Sequence, residues 1–276
     1  MSNKVNIYFA TYDTSNFIIP FVSFLWEKYY KSGEMIFMGY KDPEHKNLGE
    51  RTKFVSLAPK RESIKYWSKY ICDYFKTIND EFLVFTVDDM SIVGISDEDL
   101  LQKAVNYMKQ HSDISHCYCA PQSNTIYQHS DARNDKILFN NSDYFIYEAT
   151  KERGHYVNLQ LNLWRRKHLI ELLDNEKWNT YDLEITGSRK LLKMNYRCIG
   201  IQRTNETNRW HKGVFASTCG HLVSNRYHAG KYNLFGTKAE DIEEGKEYMP
   251  EYVKNNIMFN DIINVHWKPE EKGQPK

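Results

Sequence analysis

Two rhythms of apolar and polar residues run along this chain, a period of two and a period between three and four. The stretch that anchors them is Phe82-Leu83-Val84-Phe85-Thr86-Val87-Asp88-Asp89-Met90. Its apolar run suits a strand covered on both faces of a sheet, and it stops at two adjacent carboxylates. Upstream, residues 5–10 read as a first buried strand. The polar loop Thr11-Tyr12-Asp13-Thr14-Ser15-Asn16 follows, rich in residues that cap helices. A helix is expected over residues 17–30. Pro20 lies in its first turn, where no N–H is needed, and Phe17, Phe21, Phe24, Leu25 and Tyr29 form its buried stripe. Residues 35–38 form a second strand closed by Gly39, and residues 53–57 a third, ended by Pro59. Ile64, Trp67, Ile71, Phe75 and Ile78 step by three and four through a helix over residues 62–79 that leads into the acid-ended strand. Ser96-Asp97-Glu98-Asp99 has the form of a capping box and opens a helix to about residue 110, with Leu101, Ala104, Val105 and Met108 inward. This order opens a nucleotide-binding α/β sheet.

The second half is less regular. Residues 116–120 read as a strand, 122–135 as a polar loop with His129 and Arg133, and 136–139 with 144–147 as a hairpin around Asn140-Asn141-Ser142-Asp143. From Tyr156 to Trp164 the alternation is nearly perfect and predicts one strand. Val157, Leu159, Leu161 and Leu163 lie on one face, Asn158, Gln160 and Asn162 on the other. The amide face suits the hydroxyls of a sugar; the plainer alternative is a solvent-facing strand. Residues 165–173 read as a helix. Residues 178–193 hold Asp182, Glu184 and a turn-prone Thr186-Gly187-Ser188-Arg189, and residues 197–202 form a strand. The loop over residues 204–213 gathers Arg209, Trp210, His211 and Lys212, either to close over a phosphate-bearing substrate or as a solvated loop. At Gly230-Lys231, glycine allows close backbone approach and lysine offers a charge to phosphate. His266-Trp267 precedes a proline- and lysine-rich tail, residues 268–276, expected to be disordered.

Composition narrows the class. The 276 residues allow one large α/β domain or two small ones, and 20 Tyr and 14 Phe supply a sizeable core. A formal net charge of +1 argues against nucleic-acid binding by bulk charge. Met1-Ser2-Asn3-Lys4 runs into a strand without a signal-peptide pattern, and the apolar run near residues 17–26 is too short to span a bilayer. The five cysteines form no CxxC pair, so free thiols in a reducing, cytoplasmic compartment are expected.

Acids at the C-terminal end of a buried strand stand where open α/β sheets hold ligands. Adjacent carboxylates repel, and a divalent ion bridging to a phosphate offsets that repulsion. Mg²⁺ or Mn²⁺ at Asp88 and Asp89 is therefore one reading, and a plain acidic turn is the other. Thr11, Tyr12 and Asp13, at the end of the first strand, are candidates to contact a nucleotide as well as to cap the helix.

Taken together, these stretches resemble GT-A-type glycosyltransferases, most of all small bacterial and viral nucleotide-sugar transferases. The resemblance rests on the Thr11-Tyr12-Asp13 loop, the Trp67-Ser68 helix leading to Asp88-Asp89, and Leu159-Gln160-Leu161-Asn162-Leu163-Trp164-Arg165-Arg166. Tyr181-Asp182-Leu183-Glu184 with Gly187-Ser188, and Gly230-Lys231, complete it across residues 5–235. It implies a single GT-A-like, Rossmann-like mixed sheet flanked by helices over residues 1–267, with a nucleotide-binding half (1–110) and an acceptor-binding half (111–267). It also implies a nucleotide-sugar donor, UDP-linked by default, a glycan or other hydroxyl acceptor, and Mn²⁺ or Mg²⁺ on an Asp-x-Asp-like motif. Trp67, Thr11, Tyr12, Asp13, Asp88, Gly230 and Lys231 then contact the nucleotide. Asp88, Asp89 and His266 hold the metal, with His228 a further candidate. Glu184 serves as the base of an inverting reaction, with Asp182 as runner-up; a retaining reaction needs no such base. The sequence departs from Asp-x-Asp, because Val87 and Met90 stand where a second acid would be. A non-catalytic GT-A-like protein that binds glycans or serves in assembly is the alternative.

Overall fold

Strands β1 (Ile7–Ala10), β2 (Met35–Gly39) and β4 (Phe82–Val87) are buried along nearly their whole length. Helices cover both faces of the sheet they form, which is why these segments are apolar without alternation. The computed structural model describes residues 4–12, 16–41, 48–58, 66–88, 90, 92–120, 135–152, 156–206, 212–216, 232–233, 238–249, 251 and 257–258. Ile7, Phe9, Phe37 and Val84 pack with α1 (Ile19–Tyr29) and α3 (Glu98–Gln110). Tyr8, Ala10, Met38, Leu83 and Phe85 pack on the opposite side with α2 (Trp67–Thr77) and α4 (Arg166–Leu173).

The remaining strands of the main sheet are β3 (Thr52–Ser56), β5 (Ile114–Tyr118), β6 (Lys136–Asn140), β7 (Tyr144–Glu148), β8 (Asn162–Arg165) and β9 (Arg197–Arg203). Their order is β3-β2-β1-β4-β8-β5-β9-β7-β6. Strands β3, β2, β1 and β4 are mutually parallel, so their C-terminal ends share one edge. Strand β8 runs antiparallel to both β4 and β5, and β9 is parallel to β5. The β6–β7 hairpin closes the sheet antiparallel to β9. This is a mixed, Rossmann-like sheet flanked by helices, as expected above.

Most expected elements form, with small shifts at their ends. Pro20 stands in the first turn of α1, and Asn141 Oδ1 accepts from the amides of Asp143 and Tyr144 to turn the hairpin. At α3 the cap is Asp97, not Ser96: the Asp97 carboxylate accepts from Leu100 N. Two expectations are corrected. The alternating stretch from Tyr156 to Trp164 is not one strand, because only Asn162 onward pairs and Leu161 takes a φ of 49°. The amides of residues 157, 159 and 161 bond to side chains instead of a ladder. Nor is the Thr186–Arg189 stretch a turn. Helix α5 (Thr180–Asp182), a π-helical turn (Leu183–Gly187) and α6 (Ser188–Lys193) run on without a break.

Near the C-terminus, α7 (Ala239–Gly245) docks on α1. Asp241, fully buried, accepts from the Tyr29 hydroxyl at 2.7 and 2.9 Å and pairs with Lys28 at 2.9 Å. A two-stranded parallel sheet joins β10 (Tyr232–Asn233) and β11 (Ile257–Met258). Cys72, Cys117, Cys119 and Cys198 are free and buried. Among the described residues no helix is long and apolar enough to cross a membrane.

Candidate functional site

Register places the first pair of functional side chains together. Ala10 on β1 is level with Val87 on β4, so Thr11 and Asp88 leave the sheet side by side. Thr11 Oγ1 donates to Asp88 Oδ2 at 2.5 Å. Thr11 N is held by Met38 O and Asp88 N by Ala10 O. Both residues are buried, Asp88 at 5% exposure. Gly39, at the end of β2, makes room for this contact. A Cβ there would stand 2.8 Å from Thr11 Cγ2 and 3.0 Å from the Phe54 ring.

The second part of the site comes from the other half of the chain. The Tyr12 hydroxyl donates to Thr180 Oγ1 at 3.4 Å, tying the β1 loop to the start of α5. The π-helical turn that follows carries Glu184, half-buried, whose Oε1 accepts from Leu159 N at 3.1 Å. An extra residue in a helical turn re-aims its side chains, and such turns recur at functional sites. Ser188 secures this one, since its hydroxyl accepts from Val157 N at 2.7 Å. Ser68 secures the approach. Its Oγ accepts from Trp178 N and donates to Glu176 O, bolting the start of α2 to the chain that enters α5.

The segment from Tyr156 to Leu161 lies between these parts and is pinned along its length. The Tyr156 carbonyl accepts from the Tyr118 hydroxyl at 2.7 Å and from His116 Nε2 at 3.1 Å. His116 is fully buried, stacked 4.2 Å from Trp164, with Cys198 Sγ 3.0 Å from Nε2. Burial pushes its pKa down to about 3, so the ring is neutral, with its proton on the nitrogen that faces the carbonyl. Thr86 Oγ1 donates to Leu159 O at 2.9 Å and accepts from Leu161 N at 3.3 Å.

Thr11, Tyr12 and Asp88 thus stand at the edge formed by the C-terminal ends of β1 and β4, and Glu184 is linked to β4 through Leu159 and Thr86. Asp182 is committed elsewhere: it completes a capping box, its carboxylate accepting from Asn179 N while its own amide donates to Asn179 Oδ1. Trp67 is 1% exposed and stacks on Phe85 at 6.1 Å, within the core below the edge. Its indole N–H has no hydrogen-bond partner among the described residues. The expected face of three amides is not open either. Asn158 and Asn162 are buried, and Asn162 Nδ2 donates to Asn158 O and Oδ1. Asp13, Asp89, His228, Gly230, Lys231 and His266 lie outside the described residues. So do residues 207–211 of the 204–213 loop, Arg209, Trp210 and His211 among them. Among the described residues no group of three or more His, Cys, Asp or Glu side chains is arranged to hold a metal.

Sequence reasoning missed Thr86, Ser68 and Ser188 as organising residues. The available signal was a hydroxyl set inside an otherwise apolar run, as Thr86 is within β4.

No protein-family model matches the chain, and no curated protein matches it. Solved structures similar to it include a cytidylyltransferase from Leptospira borgpetersenii serovar Hardjo-bovis, at 10% identity over 93% of this chain and 99% of that one, with a TM-score of 0.44. S. aureus TarS is 14% identical over 72% of this chain and 35% of its own, with a TM-score of 0.45. A UDP-glucose pyrophosphorylase complexed with UDP-glucose is 10% identical over 74% of this chain and 92% of its own, with a TM-score of 0.43. At these values function has to be argued from the residues of this chain.

Proposed function

We propose that this chain is a glycosyltransferase that moves a sugar from a nucleotide-sugar donor, with UDP as carrier, to a hydroxyl of a glycan or other acceptor. The observation that carries the reading is Asp88 at the C-terminal end of β4, held by the Thr11 hydroxyl of the neighbouring strand end, with Glu184 linked back to the same strand through Leu159 and Thr86. That edge is where open α/β sheets take nucleotides. Residues 1–110 bind the nucleotide through Thr11, Tyr12 and Asp13, and residues 111–267 bind the acceptor. Gly230 and Lys231 meet the diphosphate.

Departure of a nucleoside diphosphate builds negative charge, which needs positive groups in place beforehand. Oxygen donors are what Mg²⁺ and Mn²⁺ take, and the Asp88 carboxylate beside the Thr11 hydroxyl is a donor of that kind. Asp88, with Asp89 and His266, would hold the ion, which supplies charge neutralisation at the diphosphate. Thr11 fixes the Asp88 carboxylate in one orientation, and Tyr12 ties the nucleotide loop to the helix that carries the base. Glu184, oriented by the Leu159 amide, takes the proton of the acceptor hydroxyl as the bond to the sugar forms. Asp182, whose carboxylate serves the helix cap, is the runner-up for that role. The free, buried thiols support a cytoplasmic enzyme.

Ligand binding to the native state raises the melting temperature. Titrating UDP- and GDP-sugars with Mn²⁺ is expected to raise it for one donor, and the shift is expected to vanish in Asp88→Ala. A protein whose melting ignores every nucleotide sugar, yet shifts with a free glycan, would be the binding protein instead.

A further inference from the structure

Strand β8 parts from β4 at a defined point. Phe85 and Asn162 are the last paired residues, and Leu161 then turns through a φ of 49°. A parting of this kind inside a core leaves buried backbone groups without a ladder partner. Thr86, fully buried and next along β4, supplies the partner for both sides of the break. Its hydroxyl donates to the Leu159 carbonyl and accepts from the Leu161 amide, the two roles a hydroxyl can fill at once. The Leu161 carbonyl meanwhile accepts from Cys119 N, just past the end of β5. What remains of Leu159 is its amide, and that amide donates to Glu184 Oε1. Residue 159 therefore hangs between β4 on one side and the π-helical turn on the other.

We infer that Thr86 is a positioning residue that sets the place of the Glu184 carboxylate through Leu159, an inference that rests on the reading of Glu184 as the base. Thr86 also lies two residues before Asp88. One strand end thereby fixes both carboxylates, Asp88 directly and Glu184 through a side-chain hydroxyl and one backbone residue. The distance between the donor and acceptor ends of the reaction is set by β4.

Three variants and two readouts test this. Thr86→Val keeps the shape and removes both hydrogen bonds, Thr86→Ser keeps the hydroxyl, and Glu184→Gln removes the base. In the first readout, peptide-resolved hydrogen exchange, Thr86→Val is expected to speed exchange over residues 157–161 and 183–187 while α3 stays at the wild-type rate. Thr86→Ser is expected to exchange as the wild type does. In the second, Thr86→Val is expected to lower kcat about tenfold with the donor KM held within about twofold, and Thr86→Ser to recover most of that loss. Placed in Glu184→Gln, Thr86→Val is expected to change kcat by less than about twofold, because the group it positions is already gone. Equal losses in both backgrounds, or wild-type exchange over residues 183–187 in Thr86→Val, would overturn the inference. If wild-type protein turns over no donor, the functional reading fails separately, and the exchange comparison still decides whether Thr86 holds the Glu184 turn.

Discussion

Thr11 and Asp88 stand 77 positions apart in the chain and 2.5 Å apart in space. A hydrogen bond to a charged group contributes about 1.5–3 kcal/mol. Thr11→Val is therefore expected to cost roughly that much stability in denaturant unfolding. Thr11→Ser is expected to restore it, and an equal loss in both variants would mean that packing, not the hydroxyl, matters. The two acids of α5 and the turn after it separate in the same way. Asp182→Ala removes a cap contact and is expected to cost about 1 kcal/mol while turnover stays near the wild-type rate. Glu184→Gln is expected to lower kcat by about 10²–10⁴ with little change in melting temperature. A reversed pattern would make Asp182 the base. The position of Asp88 was legible, because an apolar run ending in an acid needs no tertiary information. Its bond to Thr11 was not, since that requires knowing that β1 and β4 are neighbours in register. Trp67 shows the opposite case: its place in an amphipathic stripe already pointed to the core, where the structure puts it.

At the scale of elements, periodicity read the helices and parallel strands well and failed where side chains replace a ladder. Val157 to Leu163 alternates as a strand does, but Ser188, Glu184 and Thr86 take the backbone groups of residues 157, 159 and 161. All three partners are distant in sequence, so no local pattern reports them. The π-helical turn was hidden for a similar reason. Gly187 and Ser188 are turn formers by composition, yet Gly187 is small because Leu183 and Trp178 pack against it. A Cβ there would stand 2.9 Å from Leu183 Cδ1 and 3.4 Å from Trp178 Cζ3. Gly39 offers a test of how β2 supports the site. Gly39→Ala is expected to cost about 1–3 kcal/mol by pressing on Thr11 Cγ2 and the Phe54 ring. Adding Thr11→Ser removes that methyl, so the double variant is expected to lose less than the sum of the single losses. Strict additivity would show that Thr11 is not what Gly39 accommodates.

At the scale of the whole molecule, the insertion of β8 between β4 and β5 joins the two halves of the chain in one sheet. Chain order alone cannot show this, because β8 follows β5 by more than forty residues. The buried groups that support this sheet also make its stability depend on pH. Burial lowers the pKa of His116 to about 3 and of His168 to about 4, against an ordinary value of 6.5. Below pH 6.5 the unfolded chain binds protons that the native rings exclude, so stability falls with pH. Each histidine contributes a slope of about 1.4 kcal/mol per pH unit. That contribution is intact above pH 6.5 and is lost down to about pH 4 for His168 and about pH 3 for His116. Melting temperatures from pH 8 to pH 4 are expected to be flat and then to drop, and His168→Gln to soften the drop. A profile unchanged in that variant would remove His168 from the account. Whether Asp88 and Glu184 serve one sugar transfer is decided by nucleotide release from the purified protein across UDP- and GDP-sugars, with and without Mn²⁺. UDP release from one donor is expected, lost in Asp88→Ala and Glu184→Gln and suppressed by chelation. No release from any donor, or release that persists in both variants, would contradict it.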